Sequence, residues 1–217
     1  MKKPSIVIAS PAGAKQSPRS FRPRQKSLAG PRDDGERISS ARPRVYHFNQ
    51  VDSTTSAAFR YAKEGAPSGS VFVADYQTEG HGKWGRRWVS PRGKNLLFSL
   101  LLRPAFKASY APWVTQVACR SVAKVLQRKF GLHPTFKRPN DVLVGGRKIC
   151  GILVEAQGRS NGHLENLVVG VGLNVNASPE ELVKGATSVA RETGKKQSRP
   201  ALLKTLLEEL RKDLGKL

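Results

Sequence analysis

Residues 142–154, VLVGGRKICGILV, predict a β-hairpin and with it the class of fold. Two apolar runs rich in Val, Ile and Leu flank Gly145 and Gly146, a pair that suits the positive φ angles of a tight hairpin turn. Another strand is predicted at 164–174. Because helices flank a sheet that contains a hairpin, without regular alternation of strand and helix, we expect an α+β fold and not a doubly wound one.

Outward from this hairpin, apolar patterning predicts the remaining elements. Strands are predicted at 45–51, 70–76 and 95–103, helices at 54–65, 110–130 and 201–214, and a short helical turn after Pro179. A hydroxyl or carboxylate in Asp52-Ser53-Thr54 suits a helix N-cap, and Gly131 suits the end of the longest helix. The expected architecture is a mixed, largely antiparallel sheet packed against helices.

The first 44 residues differ in composition from the rest. They are rich in Pro, Ser, Lys and Arg, show no sustained apolar period, and carry eleven basic residues against three acidic ones. Such a segment cannot bury enough apolar surface to offset the entropy of ordering. We therefore predict a disordered basic tail at 1–44 and a single domain at 45–217.

Composition also limits the kind of site. A formal net charge of +22 predicts attraction to polyanions, without choosing among nucleotide phosphates, nucleic acid and acidic proteins. Cys119 and Cys150 are too few for a disulfide framework and suit a reducing compartment, so a cytoplasmic location is expected. The four histidines are too scattered for a zinc site, and the longest apolar runs are strand-sized, so no membrane span is expected.

Four segments, in this order along the chain, resemble the biotin protein ligase family. They are VDSTT (51–55), DYQTEGHGKWGRRW followed by SP (75–91), KRPND leading to RKICGILVE (137–155), and VGVGLNVN (169–176). The resemblance implies the class II synthetase-like catalytic domain of the biotin/lipoate ligase superfamily. It also implies ATP-dependent biotinylation of a carrier-protein lysine through biotinyl-5'-AMP, with an acetyl-CoA carboxylase carrier subunit as the acceptor.

The glycine-rich loop, residues 77–88, has a composition suited to an adenylate. Its glycines let the main chain approach a ligand closely, while Lys83, Arg86 and Arg87 offer donors to phosphate. The same composition is also typical of a solvent-exposed basic turn that binds no ligand. The resemblance implies that the loop orders over the intermediate. Since the family pattern has Arg in place of His81 and Lys83, and Lys lacks the planar fork of Arg, we expect weaker retention of the adenylate.

The resemblance also implies individual roles. Lys148 would stabilise the charge that builds up on the biotin carboxylate and the α-phosphate, and Lys83 is the second catalytic candidate. The candidate biotin-binding residues are Ser53, Thr54, Thr55, Gln77, Gly80, His81, Gly82, Lys83, Lys148 and Gly151. The candidate ATP-binding residues are Lys83, Arg86, Arg87, Trp88, Asn140 and Asn174. Asp141 is a candidate Mg²⁺ ligand.

Several of these residues have simpler interpretations. The hydroxyls before the first helix suit a helix cap, Asn140 and Asp141 suit a turn, and the glycines before Asn174 suit close packing. Lys148 suits a solvent-facing edge lysine. Strict strand alternation would direct Lys148 and Cys150 to the same face.

The expected ligands are biotin, MgATP and a biotin carboxyl carrier protein, with no tightly bound prosthetic group, specific nucleic acid or membrane partner; the oligomeric state stays open. A lipoate or octanoate ligase or transferase is an alternative that the pattern at 77–88 disfavours. A basic nucleic-acid-binding protein is another, although no recognisable binding motif is present. His81, Lys83 and Arg138, the last in place of the family's Trp, leave open an inactive homologue. Neither an N-terminal DNA-binding domain nor a C-terminal β-barrel domain is expected.

Overall fold

The computed structural model describes residues 24–26, 42–104, 108–158 and 164–217. The strands are β1 (Arg24–Lys26), β2 (Val45–Phe48), β3 (Val71–Ala74), β4 (Leu96–Leu102), β5 (Pro134–Lys137), β6 (Asp141–Val144), β7 (Arg147–Gly158) and β8 (Leu164–Leu173). The helices are α1 (Thr54–Lys63), α2 (Ala111–Phe130), α3 (Val189–Thr193) and α4 (Arg199–Leu214). No helix in the described part of the chain is long and apolar enough to cross a bilayer.

The strands form one sheet in the order β1-β2-β3-β4-β8-β7-β6-β5. The neighbours β2 and β3 are parallel, with α1 between them along the chain, and all other neighbouring pairs are antiparallel. The predicted hairpin is β6–β7, and Gly145 and Gly146 adopt φ angles of 55° and 72° at its turn. The predicted α+β class with a mixed, largely antiparallel sheet is confirmed.

Apolar side chains alternate between two clusters on opposite faces of the sheet. On β4, Phe98 and Leu100 pack into a large cluster with α2 and α4, whereas Leu101 packs into a smaller cluster with α1. Burying one such side chain stabilises the fold by about 1.5–3 kcal/mol. The larger cluster therefore contributes most of the apolar stabilisation. The smaller cluster leaves part of the α1 face of the sheet available for polar side chains or a ligand.

Polar contacts fix the positions of the helices. The Ser53 hydroxyl accepts the Thr55 N–H at 3.2 Å and caps α1, as predicted. Helix α2 ends at Gly131 in the left-handed conformation, with a φ of 65°. Asp213 of α4 accepts a hydrogen bond from Lys124 of α2 at 2.8 Å, which joins the two helices at one end.

Three features differ from the expectations. Strand β5 was not predicted because three of its four residues are exposed and it has no apolar alternation. Helix α3 was not predicted because it is only five residues long. Within the predicted tail, Arg24–Lys26 forms a strand paired with β2, a strand that the sequence did not indicate. Residues 1–23 and 27–41 of that tail lie outside the described residues, and the division at residue 44 stays a prediction.

Candidate active site

A cavity of about 280 Å³ lies on the α1 face of the sheet. Its floor includes glycines of two adjoining strands: Gly151 of β7 lies opposite Gly172 of β8, and Gly170 of β8 lies opposite Ser99 of β4. Because successive strand residues point to opposite faces, the apolar neighbours of these residues fill the α2 core. The sheet therefore provides space on one face while its other face stays tightly packed.

A cluster of buried hydroxyls and one amide forms an end of this cavity. Thr54 donates both its N–H and its hydroxyl to Gln77 Oε1, at 2.7 and 3.0 Å. Thr55 Oγ1 lies 3.1 Å from Ser99 Oγ of β4. Ser53, Thr54 and Thr55 all line the cavity and are at most 5% exposed. The structure thus brings together the predicted hydroxyl cluster and Gln77, and it combines the capping and lining roles in Ser53.

The glycine-rich loop lies over the cavity and presents cations and an aromatic ring. Its turn is closed by a 2.6 Å hydrogen bond from the Gly82 N–H to the Arg86 carbonyl. At the tip, Trp84 has a φ of 59°, a conformation that residues other than glycine rarely adopt. The Trp84 ring is 67% exposed and lies 5.5 Å from Lys83 Nζ and 5.6 Å from the Arg86 guanidinium carbon. These groups all line the cavity, so the tip can meet an anionic ligand.

Trp88 ends the loop and packs directly on the glycine floor. A Cβ atom at Gly172 would lie 2.5 Å from the Trp88 ring, and one at Gly151 would lie 2.8 Å from it, so both positions need glycine. The buried indole N–H has no hydrogen-bond partner among the described residues. The carbonyl of Gly80, a predicted biotin contact, accepts the backbone N–H of Trp88 at 2.8 Å, and Gly80 is not one of the lining residues. Trp88 therefore supplies the cavity with an apolar surface and an N–H without a protein partner.

Lys148 lines the cavity, and its ammonium group forms an ion pair with Asp141 at 2.7 Å. The expectation that Lys148 and Cys150 share a face is wrong. Cys150 is fully buried in the core that faces α2, whereas Lys148 Nζ lies 5.3 Å from the centre of the Trp88 ring on the cavity side. The cause is a register shift between these two residues, which leaves Ile149 without a partner on β6. One extra residue in a bulge reverses the face of the residues beyond it.

The backbone at Lys148 is held by the segment before α3. The Lys148 N–H donates to the Gly185 carbonyl, and the Thr187 N–H donates to the Lys148 carbonyl, both at 2.9 Å. Asn174 donates to the Thr187 carbonyl at 3.0 Å and accepts from Asn95 at 3.3 Å. The predicted ATP contact Asn174 is 5% exposed and is absent from the described lining of the cavity. The structure gives its amide a supporting role behind Lys148.

The predicted nucleotide contact Asn140 and the predicted metal ligand Asp141 both line the cavity where β6 begins. Asn140 lines the cavity, and its amide donates to the Ile152 carbonyl at 2.7 Å. The Asp141 carboxylate also lines it and is paired with Lys148. Among the described residues, no three His, Cys, Asp or Glu side chains are grouped to hold a metal ion. Since Mg²⁺ is commonly bound by one or two carboxylates together with substrate phosphates, Asp141 fits Mg²⁺ only when a nucleotide supplies the other ligands.

His81, a predicted biotin contact, makes an ion pair that the sequence did not indicate. Its Nε2 lies 3.2 Å from Glu155 Oε2 of β7, and its Nδ1 lies 3.3 Å from the Glu79 carbonyl oxygen. The hydrogen bond to Glu155 raises the pKa of His81 above its ordinary value of 6.5. This pair links the glycine-rich loop to the sheet.

Several other lining residues had no binding role assigned from the sequence. They are Lys137, Pro139, Ile152, Leu153, Gly170, Val171 and Gly172. The glycine spacing on β8 was a usable signal, because small residues two apart on a strand leave one face bare. Besides His81, six Lys and Arg residues line the cavity: Lys83, Arg86, Arg87, Lys137, Arg138 and Lys148. With Asp141 as the one acidic residue in the described lining, the cavity favours anions such as phosphates and carboxylates.

Residues 47–174 match the biotin/lipoate A/B protein ligase family. The bifunctional ligase/repressor BirA of Bacillus subtilis is 34% identical over 167 residues, which cover 75% of this chain and 51% of that protein. A biotin–[acetyl-CoA-carboxylase] ligase of Paracoccus denitrificans is 37% identical over 153 residues, covering 67% of this chain and 62% of that protein. The chain thus spans about half to two thirds of the length of these two relatives.

A similar solved structure is the biotin protein ligase from Aquifex aeolicus in complex with biotin and ATP. It superimposes with a TM-score of 0.68 at 32% sequence identity, and the match covers 79% of this chain and 70% of that one. The predicted fold therefore has a counterpart in a protein crystallised with both a vitamin acid and a nucleotide.

Proposed function

The chain belongs to the biotin/lipoate A/B protein ligase family, and from this premise we propose that it activates biotin with ATP and transfers the biotinyl group to a lysine of a carrier protein. One observation carries the proposal. A single cavity is lined by a buried hydroxyl cluster, by glycines of β7 and β8 with Trp88 packed on them, and by six Lys and Arg side chains. A small, partly polar acid and a triphosphate both find complementary groups there.

The hydroxyl end of the cavity favours biotin over a fatty acyl group. A ureido ring carries N–H donors and a carbonyl acceptor, and Ser53, Thr54 and Gln77 offer matching groups at that end. A lipoyl or octanoyl chain carries neither the N–H donors nor the carbonyl acceptor of a ureido ring, so it would leave the remaining hydrogen-bonding capacity of this end without a ligand partner. This supports biotin over the lipoate or octanoate alternative.

The first step is an attack of the biotin carboxylate on the α-phosphorus of MgATP. A new O–P bond forms, and pyrophosphate leaves with the electrons of the broken P–O bond. The Lys148 ammonium group stabilises the negative charge that accumulates between carboxylate and phosphate, and the 2.7 Å pair with Asp141 orients it. Binding both reactants in one cavity lowers the entropic part of the barrier by about 7–11 kcal/mol.

The second step transfers the biotinyl group to the carrier. The carrier lysine amine attacks the carbonyl carbon of biotinyl-5'-AMP, AMP leaves with the electrons of the broken C–O bond, and the amine releases a proton. Between the two steps the mixed anhydride must be kept from water. The glycine-rich loop would perform this task, with Lys83, Arg86 and Arg87 holding the phosphate; their position in the cavity lining supports these roles. Mg²⁺ enters with ATP as part of the substrate.

The carrier and the compartment belong to the same proposal. The relative from Paracoccus denitrificans is named a biotin–[acetyl-CoA-carboxylase] ligase, which supports a biotin carboxyl carrier protein as the acceptor. Two free cysteines, Cys119 and Cys150, support a reducing compartment, so we propose the cytoplasm.

The test is ATP-dependent labelling of a biotin carrier domain with radioactive biotin, in parallel with lipoate and octanoate. We expect labelling with biotin alone, and a loss of about 10²–10³-fold in the rate of adenylate formation for Lys148→Ala. Lys204→Ala, at an exposed lysine on α4, is the matched control and should keep the parental rate. Labelling by an acyl acid instead of biotin, or full activity of Lys148→Ala, would contradict the proposal. A complete absence of biotinyl-5'-AMP would indicate an inactive homologue.

A further inference from the structure

The glycine-rich loop has one side-chain connection to the sheet along its turn. Between Gly80 and Arg87, and among the described residues, His81 alone makes a side-chain hydrogen bond outside the loop, to Glu155 of β7. Arg87 donates to the Thr78 carbonyl of the preceding segment, and the other cations of the turn lie against Trp84. We propose that His81 and Glu155 are a positioning pair that anchors the glycine-rich loop to β7 and sets how well the loop shields the cavity.

The place of the pair in the loop explains why it would control the turn. His81 pairs with Arg87 across the narrow part of the loop, so these residues form the base from which the tip extends. Glu155 belongs to the 12-residue strand β7, where it pairs with Val168 of β8. A contact at the base of a loop limits all movement beyond it, and this one attaches the base to a rigid element.

The hydrogen-bond partners of His81 require a cationic ring. Nε2 faces the Glu155 carboxylate and Nδ1 faces the Glu79 carbonyl, and both of these groups only accept hydrogen bonds. A neutral imidazole has one N–H and can satisfy one of the two, whereas an imidazolium satisfies both. The charge pair is partly solvated, with side-chain exposures of 34% and 26%, so it contributes a modest free energy that the loop can overcome when it opens.

The surrounding charges agree with this protonation state. From β7, Glu155 attracts a proton to the ring; from the segment before α1, Asp52 acts more weakly in the same direction. Arg87, the cross-loop partner, donates from its guanidinium to the Thr78 carbonyl and is not among the groups that shift the pKa of His81. The pKa of His81 is raised above 6.5, chiefly by Glu155. The anchor is therefore strongest where His81 is protonated and Glu155 is ionised, and its charge pair is lost as the pH rises through the raised pKa of His81.

The anchor can be tested in the ligand-free protein with trypsin, because the turn contains the cleavage sites Lys83, Arg86 and Arg87. Cleavage at these sites would be followed by mass spectrometry and divided, at each pH, by the rate for a peptide of the same sequence. We expect Glu155→Gln to be cut about threefold faster than the parent at about pH 6, and the two proteins to converge by about pH 9.

Two further variants make the result specific. His81→Arg keeps a cation at all these pH values, so its loop should stay protected at both ends of the range. Glu165→Gln removes an exposed carboxylate on the adjacent strand β8 and should behave as the parent. Equal cleavage of parent and Glu155→Gln at about pH 6, or a difference that does not change with pH, would overturn the proposal.

The consequence for catalysis rests on the proposed function, whereas the anchor does not. If the protein makes biotinyl-5'-AMP, its release in the absence of a carrier should be faster for Glu155→Gln, and the excess should disappear as the pH rises. The trypsin experiment needs neither biotin nor ATP, so its failure and a failure of the proposed function are distinguishable.

Discussion

Lys83 places a single ammonium group at the cavity where the resemblance implies arginine. Its Nζ lies 5.5 Å from the centre of the exposed Trp84 ring, and it makes no ion pair with any described residue. A guanidinium would offer two parallel donors to a phosphate, while an ammonium group offers one directed contact at a time. The identity of this residue should therefore affect how long the intermediate stays bound.

We predict that Lys83→Arg slows the release of biotinyl-5'-AMP by about three- to tenfold, because a bidentate contact replaces a point charge. The measurement is a filter-binding chase of radiolabelled intermediate, without a carrier protein. Arg86→Lys is the reciprocal control on the same loop and should accelerate release. If Lys83→Arg lost its intermediate as fast as the parent, the phosphate contact assigned to this residue would be incorrect.

At single residues, the sequence predicted the position of a side chain along the chain better than the direction in which it points. Features that depend on the local sequence, such as the helix cap at Ser53 and the cations of the glycine-rich loop, lie where they were expected. The expectation that Lys148 and Cys150 share a face was wrong because the bulge at Ile149 depends on how β6 and β7 register, which alternation cannot reveal. Asn174 was predicted to contact the nucleotide, but its buried side-chain amide donates a hydrogen bond to the Thr187 carbonyl in the segment before α3.

Among the elements, long and strongly apolar segments could be predicted, and short ones could not. Helices α1, α2 and α4 and the β6–β7 hairpin occupy nearly the predicted residues, because each has its own period, cap or turn. The short elements β5 and α3 owe their existence to neighbours: β5 is added to the edge of β6, and α3 begins where Val189 donates its N–H to Asn174. Such tertiary contacts have no local signature.

The close packing of Trp88 on the glycines of β7 and β8 leads to a prediction about these two strands. Gly172→Ala would place a Cβ atom 2.5 Å from the Trp88 ring, so the ring must move off the floor. We expect a loss of about 1–3 kcal/mol in the free energy of unfolding and a lower affinity for biotin. Urea denaturation and isothermal titration calorimetry would measure the two effects.

The control is the same substitution in a Trp88→Leu background. Since the smaller side chain leaves the Gly172 position free, the added methyl group should cost much less there, with an interaction energy of about 0.5–3 kcal/mol between the two positions. Additive effects would show that Trp88 does not pack on β8 in solution.

For the whole molecule, the dominant physical property is the charge. Thirty-eight Lys and Arg face 16 Asp and Glu, which gives a formal net charge of +22. Some of these charges are neutralised locally, as between Lys124 of α2 and the Asp213 carboxylate of α4. Among the described residues that line the cavity, Asp141 is the one acidic residue beside six Lys and Arg residues. The same excess charge that opposes a compact fold thus attracts an anionic substrate.

This double effect predicts opposite responses to salt. Raising NaCl from about 50 to about 300 mM shortens the screening length, so the melting temperature should rise while the KM for ATP increases by roughly three- to tenfold. Scanning calorimetry and steady-state kinetics with a carrier domain measure the two responses. Biotin, with a single negative charge, serves as the internal control, and its KM should change much less. An equal increase for both substrates would mean that the ring of cations around the cavity does not recognise the triphosphate.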